Sequence, residues 1–280
     1  MTFDSVPKII ACGCFRSGTT ILAKMLSAHP EILFTSEMYS FKPDWQKHFL
    51  KKVNRLHTAE PVDVDKLDSI YSSSFVSKED MSKFLSLAID LDNVEKILSL
   101  LYDFASKHKK IRYYGDKWPE YVFQLKQTLR RESEIKKIIF CVRDPRDIIE
   151  SQIRNYWRGI TEGLTSEQMR IIHPWRKPHV HACITQPYNW LRYMKAWDNN
   201  KRDLKVDFYE LMYHRLAENK QTVASELAGF LGVSATPMIE IFKKMFNPVR
   251  HEAWRNSLPN LTAALPKTWL DMMNKYHLKV

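Results

Sequence analysis

Five short apolar runs, each bounded by polar turn residues, mark the chain at 8–12, 31–35, 111–114, 136–142 and 204–209. Runs of this length predict buried β-strands, because a helix needs ten or more residues to bury a face. Between them the period changes. Val94, Ile97, Leu98, Leu101 and Ala105 recur at three- and four-residue spacing, as do Ile149, Ile153 and Tyr156, and Trp190, Tyr193, Met194 and Trp197. Such stripes are the core faces of helices. Strands alternating with helices predict an α/β fold in three layers: a mainly parallel central sheet with helices on both faces. Ligands then sit at the carboxyl ends of the strands.

Two stretches break the rhythm, at 41–77 and 158–187. The second carries Gly159, Gly163, Pro174, Pro178 and the histidines His173, His179 and His181. Long irregular inserts in a compact α/β fold serve as lids or substrate-binding segments. No Pro/Gly/Ser-rich linker divides the 280 residues, so one domain over 1–280 is expected. With 44% hydrophobic residues the chain can bury a sizeable core. Its formal net charge of +11 favours anionic partners, whether nucleotides, nucleic acid, acidic glycans or a membrane surface. The basic clusters at 47–55, 107–112 and 243–255 read equally well as solvated helix faces. The four cysteines, Cys12, Cys14, Cys141 and Cys183, form neither a dense disulfide framework nor a C-x-x-C metal pattern, so a reduced, cytoplasmic protein is expected. The amino terminus lacks the charged and apolar regions of a signal peptide, and no stretch approaches the roughly 18 apolar residues of a spanning helix.

The chemistry concentrates first at Gly13-Cys14-Phe15-Arg16-Ser17-Gly18-Thr19-Thr20, which follows the first strand and opens a helix with Ile21, Leu22, Met25 and Leu26 on its apolar face. Backbone N–H groups and the helix dipole grip a phosphate in this setting. The spacing is that of a P-loop, except that Thr19 stands where the lysine belongs. Loss of that lysine weakens the case for a nucleoside triphosphate with Mg²⁺. Arg16 moves the positive charge inside the loop, where a guanidinium can bridge a 5′-phosphate and a transferred group. Ser17, Thr19 and Thr20 add hydroxyls.

A second anchor follows the fourth strand. Arg143-Asp144-Pro145-Arg146-Asp147 places Asp144 as N-cap and Pro145 at the first helical position, with Ser151 about two turns further on. An arginine at a strand end and a hydroxyl on the next helix can hold one phosphate between them.

Together the two segments resemble the sulfotransferase family, whose 5′-phosphosulfate loop is similar to 16–20 and whose 3′-phosphate motif is similar to 143–151. Other elements of the family recur in order. They are His29-Pro30 with Glu37, the segment Gly115-Asp116-Lys117-Trp118-Pro119, the strand end Tyr209-Glu210-Leu211, the element at 230–233, and 250–258 with Trp254-Arg255-Asn256 as a carboxyl-terminal nucleotide loop. Two departures stand out: Arg16 replaces the lysine of the cytosolic small-molecule branch, and that branch's catalytic histidine has no clear counterpart.

The resemblance implies a P-loop-like sulfotransferase domain that transfers a sulfuryl group from 3′-phosphoadenosine 5′-phosphosulfate (PAPS) to a hydroxyl or amine and releases 3′,5′-diphosphoadenosine. Arg16, Ser17, Gly18, Thr19, Thr20, Arg143, Ser151, Arg250 and Arg255 would hold the donor, with Tyr209 or Trp254 stacking on adenine. The stretches at 41–77 and 158–187 would bind the acceptor. Arg16 and Lys117 are the cations expected at the transition state, and Glu37, after the second strand, is the expected base, with Asp116 as its nearest rival. His29 is expected to end the first helix, and the insert histidines to be solvated. No metal site is expected, since no His/Cys/Asp/Glu cluster has ligand spacing. Trp45, Trp118, Trp157 and Trp175 can stack on a ring, which leaves glycan, lipid, steroid-like and peptide acceptors open. Two other classes stay open at this point. A P-loop nucleotide or small-molecule kinase would share the sheet and the loop but require Mg²⁺ and ATP. A basic nucleic-acid-binding protein would show steep salt dependence, although no known reader motif is present.

Overall fold

The computed structural model of the protein describes residues 3–38, 40–41, 78–88, 90–91, 93–161, 178–245, 251–258 and 260–278. Five parallel strands form its sheet: β1 (Lys8–Gly13), β2 (Ile32–Ser36), β3 (Tyr113–Lys117), β4 (Ile135–Val142) and β5 (Asp207–Met212), in the order β2-β3-β1-β4-β5. Beginning at the central strand, the chain fills one side of the sheet and then the other. The crevice between the carboxyl ends of β1 and β4 is therefore the switch point where such sheets bind ligands.

Alternation along the strands sorts the apolar residues into two cores. Ile10, Cys12, Leu33, Ile138 and Phe140 face one side, where they meet α3 (Val94–Ser106), α5 (Pro145–Thr161) and α6 (Pro178–Lys201). Ile9, Ala11, Ile32, Phe34, Ile139 and Cys141 face the other, against α1 (Thr19–Ala28) and α8 (Lys220–Leu231). Among the described side chains the three helical stripes point inward as their spacing predicts: Ile97, Leu98, Leu101, Ile149, Trp190, Met194 and Trp197 are each at most 4% exposed. The remaining helices are α2 (Lys78–Ala88), α4 (Leu125–Arg131), α7 (Tyr213–Glu218), α9 (Thr236–Met245), α10 (Trp254–Ser257) and α11 (Lys267–Lys275).

Two strands lie further along the chain than their apolar runs suggest. β3 was expected at 111–114 but continues through Gly115, Asp116 and Lys117. Polar residues fit there because each finds a partner: Asp116 Oδ1 accepts from Thr35 Oγ1 at 2.8 Å and its Oδ2 from the Tyr121 hydroxyl at 2.6 Å. Gly115 fits because a Cβ at that position would lie 2.3 Å from the Phe34 ring. β5, expected at 204–209, is an edge strand that pairs, among the described residues, with β4 alone, and its amino-terminal end is exposed. Asp207 is held there by Lys137 Nζ at 2.8 Å, so hydrophobicity does not mark the strand's start.

The irregular stretch at 158–187 is shorter than its composition implies. Arg158 to Thr161 complete α5, and α6 starts at Pro178, a residue whose fixed φ suits a first helical position. The rest of that stretch, and 42–77 of the other, lie outside the described residues.

Candidate active site

β1 ends at Gly13, which pairs with Cys141 of β4, so the loop after β1 and the residue after β4 are neighbours by register. The loop turns through two left-handed residues, Arg16 at φ 66° and Gly18 at φ 102°. Gly18 has no alternative, since a Cβ there would sit 2.6 Å from the Tyr213 ring. Helix α1 then begins without a side-chain cap. Its first-turn amides, which lack intrahelical partners, are thereby left for an anion. Ser17 is 1% exposed, and its hydroxyl has no hydrogen-bond partner among the described residues. A buried orphan donor at the mouth of an uncapped helix is what a phosphate site requires.

Arg143, directly after β4, is 5% exposed. Its Nη1 donates to the carbonyl of Arg16 at 2.8 Å, and its guanidinium carbon lies 4.1 Å from the centre of the Tyr213 ring. Asp144 caps α5 as its sequence suggests, accepting from the Arg146 amide at 2.8 Å and from Arg146 Nη2 at 2.6 Å. From that helix Ser151 reaches back, with its Oγ 3.2 Å from Arg16 Nε. The two anion-binding segments thus close on each other.

Beside them stands a carboxylate–ammonium pair set by the register of β2 and β3, in which Ser36 pairs with Lys117. The next residue, Glu37, takes a left-handed φ of 58° and donates its amide to the Lys117 carbonyl at 2.6 Å. This turn brings Glu37 Oε1 to 2.5 Å from Lys117 Nζ. The Lys117 side chain is almost wholly buried, whereas that of Glu37 is 43% exposed. Arg16, Gly18, Thr19, Thr20, Glu37 and Lys117 line one cleft of about 300 Å³, and Arg143 and Ser151 line the same cleft.

The sequence matches the family model described as the sulfotransferase family over residues 7–237, a span that contains every residue of this cleft. The chain belongs to the sulfotransferase family. Among solved structures it is similar to the sulfotransferase domain from the Synechococcus PCC 7002 olefin synthase, with a TM-score of 0.59 and 17% identity over 98% of this chain and 95% of that one. The sulfotransferase domain from the curacin biosynthetic pathway aligns with a TM-score of 0.57 and 18% identity over 98% of both chains. None of the curated proteins matches the sequence. Together the family and the fold make the chain a sulfuryl-transferring enzyme.

Other residues expected at this sulfotransferase's site lie elsewhere. Asp116 is fully buried on the opposite face of β3 from Lys117, and its oxygens are taken by Thr35, Tyr121 and the Met38 amide. Its place is structural, away from the cleft. Tyr209 hydrogen-bonds Glu226 at 2.9 Å and packs on Phe230, and it does not line the cleft. Because β5 runs on to Met212, the aromatic residue at its end is Tyr213, four positions later. That misplaced strand end hid Tyr213, which both supports Arg143 and lines the cleft. Trp254 is buried with Arg146 4.1 Å over its ring, and Arg255 bonds Glu252 at 2.9 Å; neither lines the cleft. Arg250 lies outside the described residues, and 250–258 lies beyond the matched span.

His29 caps the end of α1, its ring bonded to the Glu31 amide and 3.1 Å from the Ser234 carbonyl, and burial holds it below the ordinary imidazole value. The thiols at the ends of β1 and β4 are inert for a similar reason: burial pushes Cys141 up to about 12 and Cys14 higher still. Trp118 is buried edge-on to Tyr121 and belongs to the core. Trp45 and Trp175, and the side chains of Trp157, His179 and His181, fall outside the described residues, as does His173. Among the described residues no helix is long and apolar enough to cross a membrane.

Proposed function

We propose that this sulfotransferase takes its sulfuryl group from PAPS, without a metal ion, and passes it to a hydroxyl or amine of the acceptor. The observation that carries the reading is the contact between the two anion-binding segments, with Arg143 Nη1 2.8 Å from the Arg16 carbonyl and Arg16 Nε 3.2 Å from Ser151 Oγ. A ligand with phosphates on the 3′ and 5′ oxygens of one ribose is the chemistry that such a double site selects. The amides of Gly18, Thr19 and Thr20 take the 5′-phosphate, while Arg143 and Ser151 take the 3′-phosphate.

In the transfer, a lone pair of the acceptor oxygen or nitrogen forms the bond to sulfur. The bond from sulfur to the 5′-phosphate oxygen breaks, and its electron pair leaves with that phosphate. Arg16, Lys117 and the α1 amides stabilise the charge gathering there, which is the role Mg²⁺ fills in a kinase. The Glu37 carboxylate accepts the proton lost by the acceptor and is aimed by its bond to Lys117. Segments at 41–77 and 158–187 admit the acceptor. Cys12, Cys14 and Cys141 are free, buried thiols, which suits a reducing cytoplasm.

Radiolabelled PAPS incubated with an acceptor panel in EDTA tests this reading. Label transfer in EDTA is the expected result; transfer of phosphate from ATP, dependent on Mg²⁺, would replace the reading with a kinase.

A further inference from the structure

Behind the Arg143 motif lies a group of buried polar side chains that the transfer chemistry leaves unused. Asp147, on α5, is four residues from both Arg143 and Ser151 and only 1% exposed. Neither of its carboxylate oxygens has a hydrogen-bond partner among the described residues, yet His251 Nδ1 stands 3.4 Å from Oδ2. The His214 ring lies 6.4 Å from that of His251, tilted 29°. His214 Nδ1 and Trp254 Nε1 are likewise buried without hydrogen-bond partners among the described residues. A buried carboxylate needs a positive neighbour, and the nearby Arg146 is engaged with Asp144. Protonated His251 is the cation that the geometry offers.

We propose that Asp147 is a positioning residue: through an ion pair with His251 it clasps the carboxyl-terminal segment at 251–257 to the helix carrying Ser151, so that donor binding is coupled to a proton on that histidine. The proposal rests on the PAPS reading for its ligand. The charges around His251 favour the proton. Asp147 from α5 holds its imidazole above the ordinary value, aided by Glu252 on its own segment and Glu218 on α7. His214, also on α7, is held below the ordinary value mainly by burial and in part by His251. Arg215 and Asp144 act on His214, and Arg255 stands on the segment itself, paired with Glu252. The sign follows. A raised imidazole keeps the clasp closed at low pH; as pH rises through the raised value the proton leaves and Asp147 is stranded.

Calorimetric titration of 3′,5′-diphosphoadenosine from pH 5.5 to 9 tests the coupling in the wild type, Asp147→Asn and His251→Gln. Wild-type affinity is expected to fall with pH through the His251 titration, by at most about tenfold per pH unit, the limit for one linked proton. The 3′-phosphate itself titrates near pH 6, and the two variants isolate that background. Both are expected to lose the His251 component, and a wild-type slope in either would overturn the proposal. A second measurement needs no ligand: the His251 ring, followed by NMR, is expected to titrate above free histidine in the wild type and lower in Asp147→Asn. An unchanged midpoint would also overturn it. Absence of nucleotide binding by the wild type at every pH would refute the donor reading instead, and the ring titration would still decide the clasp.

Discussion

Replacing Arg143 by alanine separates the two ends of the donor. Arg143 is 5% exposed, so a phosphate bound to its guanidinium is largely desolvated. Truncating one partner of a buried, hydrogen-bonded charge pair costs about 2–5 kcal/mol. At 1.4 kcal/mol per decade, affinity for 3′,5′-diphosphoadenosine falls about 30- to 4000-fold. AMP, which lacks the 3′-phosphate, is expected to lose far less, so preference for the bisphosphate collapses. Arg143→Lys keeps the charge but not the planar fork and should fall between the two. Arg143 also donates to the Arg16 carbonyl at 2.8 Å, so the loop itself can loosen, and thermal melts of each variant control for this. Calorimetric titration of both nucleotides in EDTA reads the ratio directly. If Arg143→Ala weakened the two by the same factor, the residue would act only by supporting the loop, and its assignment to the 3′-phosphate would be wrong.

Glu37→Gln should lower kcat by about 10²- to 10⁴-fold while leaving affinity for 3′,5′-diphosphoadenosine unchanged. Lys117→Ala should lower kcat by about 10²- to 10³-fold; in either variant, steady-state turnover equal to wild type would remove that residue from the mechanism. Asp116→Asn disturbs a carboxylate that accepts from Thr35, Tyr121 and the Met38 amide, so urea unfolding should register a loss of about 1–3 kcal/mol with turnover of the folded fraction retained. Loss of turnover at full stability would make Asp116 the base instead of Glu37. Gly18→Ala forces a side chain onto φ 102° and into the Tyr213 ring, so binding of 3′,5′-diphosphoadenosine and melting temperature should both drop, and wild-type values for both would contradict the loop geometry.

The fold was legible wherever periodicity reports burial directly. The β1 and β4 runs and the three helical stripes needed no tertiary information, and Asp144-Pro145 announced the start of α5 by capping chemistry alone. Local pattern fails where polar residues are buried in partnership. Asp116 and Lys117 look like a turn until Thr35, Tyr121 and Glu37 are brought to them by β2 and by the short helical turn after β3. β5 slipped because an edge strand tolerates charge on its exposed face, and that shift put Tyr209 where Tyr213 stands. Arg16, Arg143, Ser151, Glu37 and Lys117 were each nameable from local pattern. Their convergence was not, because it depends on strand order: β1 lies between β3 and β4, which brings residues 127 positions apart into contact. Asp147, in plain view within the Arg143 motif, gave no sign of its histidine partner more than a hundred residues away.

The most direct test is the structure of the complex with 3′,5′-diphosphoadenosine grown in EDTA. The 5′-phosphate is expected on the amides of Gly18, Thr19 and Thr20 and the 3′-phosphate on Arg143 and Ser151, each at hydrogen-bonding distances of about 2.7–3.2 Å. A nucleotide bound with its phosphates away from either anchor, or ordered only when Mg²⁺ is supplied, would contradict it.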